Sequence, residues 1–206
     1  MTNDQPMQEF YDCLDRCNET TTIEARATLE AGLWARFGTE QTVLVLDMAG
    51  FTTKVQTHGL LFFLRKIRYM QKTVGPLLTQ WNGRLVKFEA DNVYAVFTSS
   101  LDAVRCALSI HEAFHNLTNG LPDVDNVVVS IGIARGRILM IPGHDFFGDA
   151  VNLASKLGED LAGHRETFIS ADLLADVSGE PGIKVEPLDM AVGGIRLAAA
   201  RVSRIA

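Results

Sequence analysis

Apolar residues recur at three- and four-residue steps from position 6 to 37, through Met7, Phe10, Tyr11 and Leu14 and then Ile23, Ala27, Ala31 and Trp34. That is the period of helices with one buried stripe. Thr21 or Thr22 can cap the second helix, with Glu24 in its first turn, and Gly38 can end it. A helical segment over 1–39, one hairpin at most, is therefore expected; it either simply docks on the core or serves dimerisation or regulation. The period then changes. Val43-Leu44-Val45-Leu46 is an unbroken aliphatic run, and it predicts a strand over 42–47 buried on both faces. Leu60, Phe63, Leu64, Ile67, Met70 and Val74 return to one stripe and predict a long amphipathic helix over 59–81, its last turn kinked or shortened by Pro76.

Further along, 84–90 and 93–97 alternate apolar with polar and are joined by Asp91-Asn92, which reads as a hairpin. A second amphipathic helix is expected over 101–117, stopped by Asn119-Gly120, and then a polar loop at 122–126. Strands follow at 127–134 and 137–141, separated by Gly136, and a loop at 142–145 leads to a helix over 149–161 that opens near Gly148. Shorter pieces complete the chain: a strand at 167–169, a helix over 170–177, and strands near 183–187 and 195–203. Strand, helix, strand, strand, helix, strand is the split β-α-β order. The expected class is α+β, a ferredoxin-like, mainly antiparallel sheet with helices on one face, forming one domain over 40–206 behind the helical segment.

Composition narrows the partners. The chain has 206 residues, 47% of them hydrophobic, enough for one full core and too few for a second large domain. Its formal net charge is −6, with no basic block and no interleaving of aromatic and basic residues, which argues against a nucleic-acid partner. No run approaches a membrane span, and the polar, acidic N-terminus does not read as a signal peptide, so a cytoplasmic protein is expected. Cys13, Cys17 and Cys106 lack paired metal-type spacing and fit reduced packing residues.

Candidate chemistry begins where the aliphatic run ends. Asp47 stands at the strand end before Ala49-Gly50, where a carboxylate beside freely presented backbone N–H groups suits a hard cation carrying phosphates, or else caps the helix that follows. Asp91, in the hairpin tip, falls at a comparable place. In the split arrangement the first strand is expected beside the strand it crosses over to, so the two carboxylates can converge at one end of the sheet and share a magnesium. A competing signal is His111-Glu112-Ala113-Phe114-His115, the His-Glu-x-x-His pattern of zinc proteases. It needs a third ligand, and no His or well-placed Glu follows at a suitable distance before Glu159.

Three motifs in order carry a family resemblance. Leu46-Asp47-Met48-Ala49-Gly50-Phe51-Thr52, then 83–91 ending Lys87-Phe88-Glu89-Ala90-Asp91, then Asp145-Phe146-Phe147-Gly148-Asp149-Ala150-Val151-Asn152-Leu153-Ala154-Ser155-Lys156 resemble the class III nucleotide cyclase catalytic domain, over roughly residues 40–203. The resemblance implies that Asp47 and Asp91 hold two Mg2+ or Mn2+ ions per site, with the Met48 carbonyl as an added ligand. It also implies that the amides of Ala49, Gly50, Phe51 and Thr52 meet phosphate. Lys87 and Asp145 match the base-reading positions in the adenine-type combination, a donor for the ring nitrogen and an acceptor for the exocyclic amine. Asn152 matches the residue that orients the ribose.

Three departures stand out. Lys156 occupies the place of the family's Arg on the transferring phosphoryl group, keeping the charge but losing the planar fork. Ala90 replaces the Gly before the second metal Asp. Near the C-terminus Val192-Gly193-Gly194-Ile195 lacks the usual triphosphate Lys, leaving Arg196 as a substitute. The implied reaction is attack of the ribose 3′-oxygen on the α-phosphorus of a nucleoside triphosphate, ATP favoured, with loss of pyrophosphate. The implied assembly is a head-to-tail homodimer, because the family draws base-reading and metal residues from opposite subunits. The alternatives are a pyrimidine cyclase making cyclic UMP or CMP and a catalytically weak nucleotide-binding regulatory module.

Overall fold

The computed structural model describes residues 5–49, 59–118, 126–192 and 195–205. Two helices, α1 (Gln5–Glu19) and α2 (Ile23–Phe37), precede strand β1 (Gly38–Met48). Thr22 caps α2, its hydroxyl accepting from the Ala25 N–H at 3.3 Å. Gly38 ends the helix where a Cβ would stand only 2.2 Å from the Trp34 carbonyl oxygen. Next come α3 (Leu60–Gln80), the hairpin β2 (Arg84–Glu89) and β3 (Asn92–Phe97), and α4 (Ser100–Thr118). Strand β4 (Val129–Ile141), the short β5 (Asp145–Phe147) and α5 (Asp149–Ser155) follow, and α5 runs on as a π-helical segment over Lys156–Leu161. Strand β6 (Thr167–Ser170), a single 3-10 turn (Ala171–Leu173), α6 (Leu174–Val177) and the hairpin β7 (Ile183–Val192) and β8 (Ile195–Arg204) complete the chain.

The sheet runs β2-β3-β1-β4-β6-β8-β7, with β5 on β4 beyond that path; β4 and β6 are parallel and the other pairs antiparallel. This is the expected α+β sheet, with one change of neighbours. β1 pairs with β3, Leu46 opposite Val93, and the strand that β1 crosses over to, β2, lies one place further out. A second change concerns the faces. Leu44 and Leu46 pack with Phe63, Met70 and Val74 of α3 and Ala107 and Ile110 of α4, whereas Val43 and Val45 pack with Ala150 and Ala154 of α5. Helices therefore cover both faces, not one, which is why all four residues of the aliphatic run are 0% exposed. Each such side chain contributes about 1.5–3 kcal/mol of burial.

Pro76 neither ends nor shortens α3, which continues to Gln80. Val74 and Leu78, both in the core, hold the helix against the sheet on either side of the ring, and packing outweighs one lost backbone hydrogen bond. The two strands expected around Gly136 are a single 13-residue strand, with Gly136 in ladder register opposite Gln41. The loop expected at 142–145 is the turn of the β4–β5 hairpin. The wide π turn of 156–161 lies where backbone meets backbone: a Cβ on Gly132 would come within 2.4 Å of the Gly158 nitrogen and 2.0 Å of the Ala154 carbonyl. The α1–α2 hairpin docks through Phe10, Cys13, Leu33 and Phe37 on Leu139 and Ile141 of β4. No helix among the described residues is long and apolar enough to cross a membrane.

Candidate active site

Asp47 is the penultimate residue of β1, and Asp91 sits in the two-residue tip between Glu89 and Asn92. Because β3 lies beside β1, the tip comes to the end of β1 and the two acids face one another electrostatically. Burial, then the negative charges of Asp91 and Glu159, push the Asp47 carboxyl up to about 6, and burial also raises Asp91. The residue before Asp91 is strained: Ala90 has φ +50°, a conformation that glycine adopts freely and a Cβ opposes.

Glu159 is a third acid that sequence reading did not assign to this place. Its Oε1 accepts from Asn92 Nδ2 at 3.2 Å and from the Tyr94 hydroxyl at 3.4 Å, and burial raises its pKa. It reaches the hairpin from the π segment, 67 residues from Asn92, and no local pattern announces a π turn. Asn92 Oδ1 is buried and lacks a hydrogen-bond partner among the described residues. Acid pairs that resist ionisation beside an unpaired acceptor are a donor set that a hard cation would satisfy.

The four amides expected to meet phosphate fare differently. The Ala49 N–H donates to the Val128 carbonyl at 2.9 Å, so it belongs to the sheet, and this part of the expectation is corrected: β1 keeps its pairing past Asp47. Gly50, Phe51 and Thr52 lie outside the described residues, as does the loop expected at 122–126 except for Asn126. The Met48 side chain is buried in the core, 3% exposed.

A cleft of about 300 Å³ opens beside the first turns of α5 and is lined by Lys87, Tyr94, Asp145, Phe147 and Asn152, among others. The two base-reading candidates meet there from 58 residues apart. Lys87 Nζ stands 3.2 Å from the Asp145 carboxylate and 2.8 Å from that of Glu89, over the Tyr94 ring at 5.1 Å. Burial works to lower the Lys87 pKa, but the Glu89 and Asp145 carboxylates outweigh it and hold the ammonium above its usual range. Asp145 Oδ1 accepts from the Phe146 N–H at 2.8 Å, which steadies the carboxylate. Gly148, between β5 and α5, has φ +150° and would bring a Cβ to 3.0 Å from the Arg137 carbonyl oxygen, so the turn into the helix that carries Asn152 needs a glycine. Tyr94 joins the two regions, its hydroxyl on Glu159 and its ring under Lys87.

Lys156 does not line this cleft. It begins the π segment and pairs with Asp160 one turn on.

The His-Glu-x-x-His pattern is put to structural use. His111 Nε2 lies 2.9 Å from Thr167 Oγ1, Glu112 pairs with Arg204 at 2.8 Å, and His115 is exposed. Among the described residues no three His, Cys, Asp or Glu side chains gather to hold a metal. The zinc pattern finds no third ligand among the described residues, and a magnesium on Asp47 and Asp91 would draw the rest of its shell from backbone, water and phosphate oxygens, as this ion commonly does.

No family model matches the chain. It is 30% identical over 146 residues to the protein named "Putative adenylate cyclase 3" of Rhizobium meliloti, an alignment covering 68% of this chain and 24% of that protein. It is 27% identical over 136 residues to the serine/threonine-protein kinase pkn2 of Myxococcus xanthus, covering 65% of this chain and 16% of that one. The chain thus spans about a quarter or less of the curated relatives it matches. The crystal structure of an adenylate/guanylate cyclase/hydrolase from Silicibacter pomeroyi superposes with a TM-score of 0.69 at 27% identity, covering 82% of this chain and 99% of that one. With this fold, and with the three motifs at the strand end, hairpin and helix start that the fold provides, the chain contains a class III nucleotide cyclase domain.

Proposed function

We propose that the domain converts a nucleoside triphosphate, ATP in preference, into its 3′,5′-cyclic nucleotide and pyrophosphate. The observation that carries this reading is the Lys87–Asp145 pair, 3.2 Å apart in the same cleft as Asn152. An ammonium donor next to a carboxylate acceptor matches the ring nitrogen and exocyclic amine along one edge of adenine. Guanine presents a carbonyl and a ring N–H there, the reverse pattern.

In this reading the base enters the cleft edge-on to Lys87 and Asp145, and Asn152 fixes the ribose so that its 3′-oxygen lies in line with the α-phosphorus. The new bond forms from that oxygen to phosphorus as the bond to the pyrophosphate oxygen breaks, and the proton of the 3′-hydroxyl leaves to solvent water. Asp47 and Asp91 would hold two divalent cations, Mg2+ or Mn2+, which when bound would lower the pKa of the 3′-hydroxyl and neutralise the leaving group. Lys156, once released from Asp160, supplies positive charge to the transferring group. Catalysis is then mostly positioning and electrostatics. A head-to-tail homodimer belongs to the same reading, the acids of one subunit facing the cleft of its partner.

The test is incubation of the purified chain with Mg2+ or Mn2+ and each of the four nucleoside triphosphates separately, with products identified by mass. Cyclic AMP from ATP alone is the expected result. Cyclic UMP or CMP would keep the mechanism and overturn the base assignment. No product from any nucleotide would overturn the cyclase reading in favour of a binding module, the reading that the Lys156–Asp160 pair favours by engaging the cation matched to the transferring phosphoryl group.

A further inference from the structure

Strand β5, which carries Asp145 into the cleft, is three residues long and pairs with β4 alone. So short a strand does not fix its own orientation; what packs on it does. Phe146 points into the core and meets the Tyr94 ring edge-on at 6.0 Å. Phe147 is 41% exposed and lines the cleft, and a ring of the N-terminal hairpin packs on it: Phe10 of α1 stacks on it at 5.7 Å with the planes 8° apart. Phe10 is itself held firmly. It is 3% exposed, meets Phe37 edge-on at 5.5 Å, and shares a cluster with Ile141 and Leu139, the β4 residues opposite Asp145 and Phe147. The helical hairpin thus grips both strands of the turn that presents the base-reading carboxylate, and reaches one wall of the cleft through the Phe10–Phe147 ring pair.

We propose that Phe10 is a positioning residue for nucleotide binding: stacked on Phe147, it holds β5 so that Asp145 faces the base beside Lys87, and the α1–α2 hairpin thereby sets the affinity of the cleft. This inference rests on the cyclase reading, in that the cleft is taken as the base site. Phe10 touches no substrate. Its effect falls on binding, not on phosphoryl transfer, because Asp47, Asp91 and Lys156 lie outside its contacts.

The experiment is a double-mutant cycle on the full chain, reading the Kd of 3′-deoxynucleoside triphosphates of the four bases, which bind but cannot cyclise, together with kcat and KM for whichever triphosphate the wild type converts. Phe10→Leu and Phe147→Leu remove one ring each while keeping apolar volume; Phe10→Met serves if Phe10→Leu does not fold. Each single variant is expected to raise Kd and KM on the order of 3- to 10-fold, the size of one aromatic pair, with kcat within about 2-fold. The double variant is expected to be no worse than the weaker-binding single, because one interaction has been removed twice. An unchanged Kd in the Phe10 variant, or penalties that multiply, would overturn the inference while leaving the cyclase reading intact. A wild type that binds none of the four nucleotides would instead overturn the cyclase reading, and this inference with it.

Discussion

Asp47 and His111 are both ionisable groups drawn from water by the same core, and they have been treated in opposite ways. His111 has been given a partner: Thr167 lies 2.9 Å away, and burial holds its pKa at about 4, so the ring stays neutral and quiet. Asp47 has been given acids as neighbours. Burial and the charges of Asp91 and Glu159 raise it to about 6, with an unpaired Asn92 oxygen close by. A satisfied buried group stabilises the fold, whereas a frustrated one stores a demand that only a ligand can meet. The zinc-protease pattern marks the satisfied site, and the bare strand end marks the frustrated one.

The contrast has a pH signature of opposite signs. Between its unfolded value of 6.5 and its folded value of about 4, His111 takes a proton only in the unfolded chain, so stability is lost as pH falls through that window. Arg165, Glu166 and Thr167 are the groups that face it. Asp47 runs the other way. Between 3.8 and about 6 the folded chain holds a proton that the unfolded chain has released, so its contribution falls as pH rises, with Asp91, Glu159 and His164 as the charges that tune it.

The largest effect is expected from Asp47→Asn: turnover should fall by about 1000-fold or more, while the melting temperature without metal holds or rises. Mn2+ should raise the melting temperature of the wild type at pH 7 and leave that of the variant unmoved. Retained turnover, or metal stabilisation in the variant, would break the comparison from the functional side. His111→Gln should cost about 1–2 kcal/mol at pH 7 through the Thr167 hydrogen bond and flatten the loss of stability between pH 6.5 and 4, with kcat unchanged. A large fall in kcat would show that the satisfied site is not merely structural. The smallest effect belongs to Ala90→Gly, which removes the strain at φ +50° next to Asp91. It should stabilise the protein by at most about 1 kcal/mol, read as a rise in melting temperature; a fall would mean that the turn does not hold the strained conformation.

Much of this arrangement was legible along the chain. The unbroken aliphatic run announces β1, the alternating and period-3.6 patterns announce the β2–β3 hairpin, α3 and α4, the strand order suggests that Asp47 and Asp91 converge, and the family resemblance pairs Lys87 with Asp145. What escaped was whatever depended on a partner distant in sequence. The break expected at Gly136 vanished because β1 supplies eleven consecutive partners to β4. The Ala49 amide was expected to be free and is taken by Val128. Glu159 entered the acidic group through a π turn that two glycines, at 132 and 158, make room for. Lys156, which the family resemblance matches to the phosphate-facing position, pairs with Asp160 one turn on.

The chain by itself determined which residues could carry the chemistry and in what order, because residue type, hydrophobic period and motif spacing are local quantities written one turn or one strand at a time. Tertiary structure alone decided which of them meet. Folding partly buries Asp47 at the end of β1, the placing of β3 beside β1 brings Asp91 to it, and the stack of Phe10 on Phe147 ties the helical preface to the cleft. Burial and Coulomb interactions depend on distance in space, and contacts closed across 58 or 67 residues of chain leave no period for a sequence to display.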